Sequence, residues 1–159
     1  MEFGRQTFDY EGGSEKGILL REQIQKLRQY DWDDPASVDL PRHIRRSLQF
    51  PIGLEELPSD LISGMDFGPG DYNFEFTNLG NFGQYFRIIL TSKEDPKEQI
   101  FITIDDSSIL IDPGHHRKTY PHDPEKYAKV VQYFGDIDNT VPLFMAIADQ
   151  VTPHLSLRG

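Results

Sequence analysis

The chain has 159 residues, no cysteine and a formal net charge of −10 at pH 7. Those facts exclude disulfides, thiolate metal sites and thiol catalysis, and they disfavour nucleic acid and anionic membranes, which are held by neutralising negative charge with Lys and Arg. Although only 37% of residues are hydrophobic, 11 Phe and 7 Tyr supply large buried areas per side chain, so one globular domain spanning residues 1–159 is expected.

Residues 1–13 mix Phe3, Phe8 and Tyr10 with polar residues and end at Gly12-Gly13, the pattern of a short edge strand or an ordered tail. No apolar run of signal-peptide length opens the chain, and no window approaches the ~20 apolar residues of a membrane span. A soluble, cytoplasmic protein is the expectation. Ser14 and Glu15 open a helix to about Tyr30, with Leu20, Ile24 and Leu27 at helical spacing. Asp31 to Pro35 is an acidic breaker that carries the single tryptophan, Trp32, beside Asp31, Asp33 and Asp34. A second helix is predicted next: Asp39 caps it, Pro41 tolerates its first turn, and Leu40, Ile44 and Leu48 share a face. Its other face is basic, with Arg42, His43, Arg45 and Arg46. Leu54 to Ile62 reads as a helical turn or two interrupted at Pro58, and Gly64 to Asp71 as a Gly/Pro loop.

From Tyr72 the apolar period becomes two. Tyr72, Phe74 and Phe76 share a face, as do Phe86, Ile88 and Leu90, then Ile100, Ile102 and Ile104, then Ile109 and Ile111. The segments between these runs are short and rich in Gly, Asn, Asp, Pro and Ser. They connect antiparallel neighbours, whereas parallel pairing would require longer crossovers. The fold class expected is therefore α+β: a four-stranded antiparallel meander over about residues 72–112, flanked by N-terminal and C-terminal helices. The opposite face of that sheet is less polar than a solvated face, since Tyr85, Ile89, Phe101 and Leu110 point there. The N-terminal helices, the aromatic N-terminal segment or another protein chain are the three candidates to cover it.

Beyond the meander, Asp123 caps a helix with Pro124 at its first position, an apolar stripe of Tyr127, Val130, Val131 and Phe134, and Gly135 at its end. Thr140 to Val151 is predicted as a second, well-buried helix with Pro142 in its first turn. The order of helices, meander and helices is similar in outline to small bacterial immunity proteins of the yeast cell-wall regulator type. The likeness is one of architecture and carries no residue roles.

Chemistry-bearing residues gather after the fourth strand, where Asp112, His115, His116 and His122 supply imidazole and carboxylate ligands suited to a divalent transition metal. Adjacent histidines followed by six residues to the next match no ligand spacing with a known mechanism, and HExxH is absent. Asp105 and Asp106 sit at the other end of that strand, too far away to join the same mononuclear site. Glu94, Asp95, Lys97 and Glu98 fall in a turn rather than on a nuclease strand. Ser47, Ser107 and Ser108 lack a nucleophile elbow, and Gly64, Gly68 and Gly70 are not followed by a phosphate-binding motif.

Asp71 to Asp112 carries eight acidic residues against Arg87, Lys93 and Lys97, so the sheet region forms the acidic pole. Two functions follow as expectations. The first is a non-enzymatic interaction module (inhibitor, immunity or adaptor protein) that needs no cofactor and binds a basic protein, neither nucleic acid nor membrane. Its contact residues would be Trp32, Tyr85, Phe101, Glu75, Asp105 and Asp106. Trp32 has a second reading, as a core or lid residue over the sheet. The alternative function is a metal-dependent hydrolase built on Asp112, His115, His116 and His122.

Overall fold

A computed structural model describes residues 4–10, 13–41, 43–79, 85–113 and 123–158. Apolar residues alternate along six strands: β1 (Gln6–Asp9), β2 (Gln49–Ile52), β3 (Tyr72–Leu79), β4 (Tyr85–Ser92), β5 (Gln99–Ile104) and β6 (Ser108–Asp112). They form one antiparallel sheet in the order β1-β6-β5-β4-β3-β2. Cross-strand register aligns Phe76, Ile88, Ile102 and Ile111 in one row, all without solvent exposure. Because side chains alternate between faces, a slip of one residue would send that whole row to the other side, which makes the register strongly specified.

β3 to β6 are the meander expected from the sequence, but the sheet has six strands because each edge gains one. β1 pairs with β6 and sets Phe8 opposite Ile109. β2 pairs with β3 and begins directly after the helix expected over Asp39–Leu48. That helix is not formed. The chain turns back on itself there, with Asp34 N–H donating to Arg46 O (3.0 Å) and Leu48 N–H donating to Trp32 O (2.7 Å). Leu40 and Ile44, two of the three residues of the predicted stripe, stay exposed. A stripe three residues long buries too little to hold a helix, while the period-two run that follows places Ile52 and Phe50 against the core.

The helices form where local capping and apolar spacing agree. α1 (Glu15–Leu27) starts at Ser14, whose hydroxyl accepts from Gly17 N–H (3.0 Å), and buries Leu20, Ile24 and Leu27 completely. A short α2 (Ser59–Ser63) follows Pro58. α3 (Pro124–Gly135) is capped by Asp123, which accepts from Lys126 N–H (3.1 Å). α4 (Ile137–Val151) begins earlier than the expected Thr140, because Asp136 caps it and the Thr140 hydroxyl donates to Phe134 O (2.7 Å), so Pro142 lies inside the helix.

α4 packs on α1, α3 and β2, and α3 on β6 and β1. The buried side chains of these helices join the inward rows of the sheet in a single apolar cluster. Its aromatic centre stacks Phe76 on Phe86 (5.7 Å), with Phe144 edge-on to both. Trp32 meets Phe50, Phe76 and Phe86 edge-on at 5.4–6.0 Å. Each such pair adds roughly 0.5–1.5 kcal/mol beyond its area.

Candidate functional site

Ile89 and Phe101 lie on the face of the sheet opposite the helices and belong to no part of that cluster. Strand alternation and register build this face. Tyr85 is opposite Leu79, Arg87 lies between Thr77 and Thr103, Ile89 between Glu75 and Phe101, and Phe101 beside Asp112. Its middle is closed over by polar side chains. The Arg87 guanidinium sits 4.4 Å from the Phe101 ring centroid and its Nε–H donates to Thr103 Oγ1 (3.0 Å). A cation over an aromatic face contributes about 0.5–2 kcal/mol depending on desolvation. Glu75 Oε2 accepts from Gln49 Nε2 (2.6 Å), and Asp112 accepts from Arg5 Nε and Nη2, both at 3.2 Å. Ile89 and Phe101 are only 7% and 8% exposed.

The predicted contact residues separate on this frame. Tyr85 is 41% exposed at one end of the face. Phe86 pairs with Ile104, so Asp105, one residue further out, shares that end with Tyr85. Asp105 is a turn-former: its Oδ1 accepts from the N–H groups of Ser107 (2.8 Å) and Ser108 (2.7 Å), and its carbonyl accepts from the Tyr10 hydroxyl (2.6 Å). Burial, then the charges of Asp105 and Asp106, push the Tyr10 phenol above its ordinary range. Asp106 is exposed at the turn and forms an ion pair with Arg28 (3.7 Å). Glu75 lies four residues along β3 from Leu79, about 13 Å from the Tyr85 end. Phe101 is covered by Arg87. Trp32 is 2% exposed behind the sheet, its indole N–H donating to Leu27 O (2.8 Å), so its ring is a core element and offers no surface to a partner.

Of the metal-ligand candidates, Asp112 is 6% exposed and already paired with Arg5, while His115, His116 and His122 lie outside the described residues. Among the described residues no three His, Asp or Glu side chains are grouped to hold an ion. The basic island is partly described, with Arg42 outside it. Arg45 donates to Leu40 O (3.0 Å) and approaches Asp33 (3.9 Å). The N-terminal segment reaches the second face through Arg5 on Asp112. α1 packs on α4, and β1 extends the sheet sideways, bringing Arg5 to Asp112 across 107 positions of sequence that no local spacing signals.

No helix among the described residues is long and apolar enough to cross a membrane. Comparison with protein-family models, curated proteins and solved structures gives no match in any of the three. The roles of these residues therefore rest on their geometry.

Proposed function

We propose that this chain is an acidic, non-enzymatic interaction module, working as an inhibitor, immunity or adaptor protein, that binds a basic protein through the Tyr85 end of its sheet. The observation that carries the reading is Tyr85, a large side chain 41% exposed on a strand, next to the acidic turn of Asp105 and Asp106. A rigid aromatic anchor supplies contact area, and the surrounding carboxylates steer a cationic partner and suppress anionic ones. Net charge of −10 works in the same direction.

The test is capture from native lysate on immobilised protein, followed by elution in rising salt. The wild type should retain a basic protein that elutes as salt screens the contact. Tyr85→Ala, which removes no core contact, should retain about tenfold less, the loss of a hot spot of roughly 1–2 kcal/mol. Equal retention by both forms, or none above an acidic control protein, would remove the reading.

A further inference from the structure

The β2 edge of the sheet borders a second feature, an open cleft of ≈ 550 Å³ against α4, lined by Phe50, Pro51, Ile52, Glu56, Gln150 and His154 among others. Its wall carries a ring pair, Phe50 stacked on His154 with centroids 6.2 Å apart and planes at 27°. An added strand is not suited to this edge. Pro51 has no N–H, and the Gln150 amide serves Gly53 as a neighbouring strand would, accepting from its N–H (3.2 Å) and donating to its carbonyl (3.1 Å). The open cleft has room for a side chain instead.

Charge identifies that side chain. Residues 47–86 contain Glu55, Glu56, Asp60, Asp66, Asp71 and Glu75 and not one Lys, Arg or His, and α4 contains Asp138 and Asp149 with no cation either. Of the cleft's lining residues Glu56 carries negative charge, His154 is a base and none is Lys or Arg, whereas Asp71, further along the chain, is paired with Lys126. Glu55 and Glu56 make no ion pair among the described residues. The Glu55 carboxylate lies over the cleft's Gly53, where an added Cβ would come within 2.8 Å of Oε1.

We propose that this cleft receives an arginine side chain of the basic partner. The site rests on the interaction reading above but is separate from the Tyr85 end of the sheet. Ile52 and Val151 offer an apolar floor to the aliphatic stem. The planar guanidinium stacks on the Phe50–His154 pair, and its fork of donors reaches the carboxylates of Glu56 and Glu55. Lysine, a compact point charge, matches the stacked rings less well.

The test titrates the ¹⁵N-labelled full chain with N-acetyl-argininamide and follows backbone amide shifts. Saturable shifts should centre on Phe50, Ile52, Gly53, Glu56 and Gln150. Glu56→Gln should weaken the affinity at least fivefold while leaving the rest of the amide spectrum in place. The lysine analogue should bind at least threefold more weakly, and the uncharged citrulline analogue should give no saturable shifts. Shifts that do not saturate, that spread over all surface carboxylates, or that are unchanged by Glu56→Gln or by citrulline overturn the proposal. Capture of a basic partner without shifts in the cleft would sink the cleft and leave the interaction reading standing. Saturable cleft shifts with nothing captured would do the reverse.

Discussion

Buried phenols give the protein a definable alkaline limit. Burial raises Tyr133 to about 12, and burial together with nearby carboxylates raises Tyr72 and Tyr127 to the same value, from the ordinary 10. The folded state holds these protons more tightly than the unfolded chain. Their contribution to stability is whole below pH 10 and is lost as pH rises from 10 through 12. Trp32, the single tryptophan, reports this without a label. Its emission should be blue-shifted and shielded from iodide up to pH 10, then shift red as tyrosinate absorbance appears between pH 10 and 12. Tyrosinate formation well below pH 10, with Trp32 still shielded, would contradict it. The aspartates beside Trp32 were legible as turn-formers: Asp31 accepts from Asp33 N–H and Asp34 from Ala36 N–H, both at 3.0 Å. The sequence left Trp32 open between a contact and a core reading, because its burial depends on Phe50, Phe76 and Phe86, which arrive from three separate strands.

The caps of α1 and α3 and the period-two runs of β3 to β6 were read correctly, whereas β2 and the start of α4 at Asp136 were not. Ser14 and Asp123 announce α1 and α3 through bonds three residues ahead. β2 went unrecognised because Leu40, Ile44 and Leu48 match a helical stripe, and only the vacant edge of β3 favours extended chain from Gln49. The contact between α3 and β1 offers a test of such long-range fitting. A Cβ at Gly135 would lie 2.8–3.1 Å from three carbons at the tip of the Phe8 ring, so the ring is seated in the space that glycine leaves at the helix end. Gly135→Ala should lower stability by roughly 1–3 kcal/mol despite alanine's better helix propensity, since Phe8 must leave its place on β1. Adding Phe8→Leu should recover part of the loss, giving a coupling above about 0.5 kcal/mol in a urea double-mutant cycle. Additive effects would mean that the two residues do not meet.

Across the molecule, charge is uneven and only lightly compensated. The described ion pairs, Arg5–Asp112, Arg28–Asp106, Arg45–Asp33 and Lys126–Asp71, mostly lie at the surface, where water and salt screen them and each contributes little. The Lys126 ammonium holds the Asp71 carboxyl below the usual carboxylate range, and it also lies 5.4 Å from the centroid of the Tyr72 ring. Against these few pairs stands a net −10 whose self-repulsion opposes the compact state. Raising NaCl from 10 to ~500 mM, where the Debye length falls from about 30 Å to a few ångströms, should therefore raise the melting temperature. A melting temperature that falls with salt would show that the surface pairs outweigh the repulsion.

The amino-acid order alone decided the strand-forming core of residues 72–112, the caps of α1 and α3 and the acidic character of the chain. Each of these depends on side-chain spacing, on bonds across a few residues or on simple charge count. The folded molecule decided the rest: which edges gained strands, which aromatics were covered and where a cleft opened. Arg87 reaching across to Phe101, Arg5 meeting Asp112 and Gln150 bonding Gly53 are made by residues far apart in the chain. Their free energy depends on what else competes for the same edge or face, and that competition is settled only when the whole chain has closed on itself.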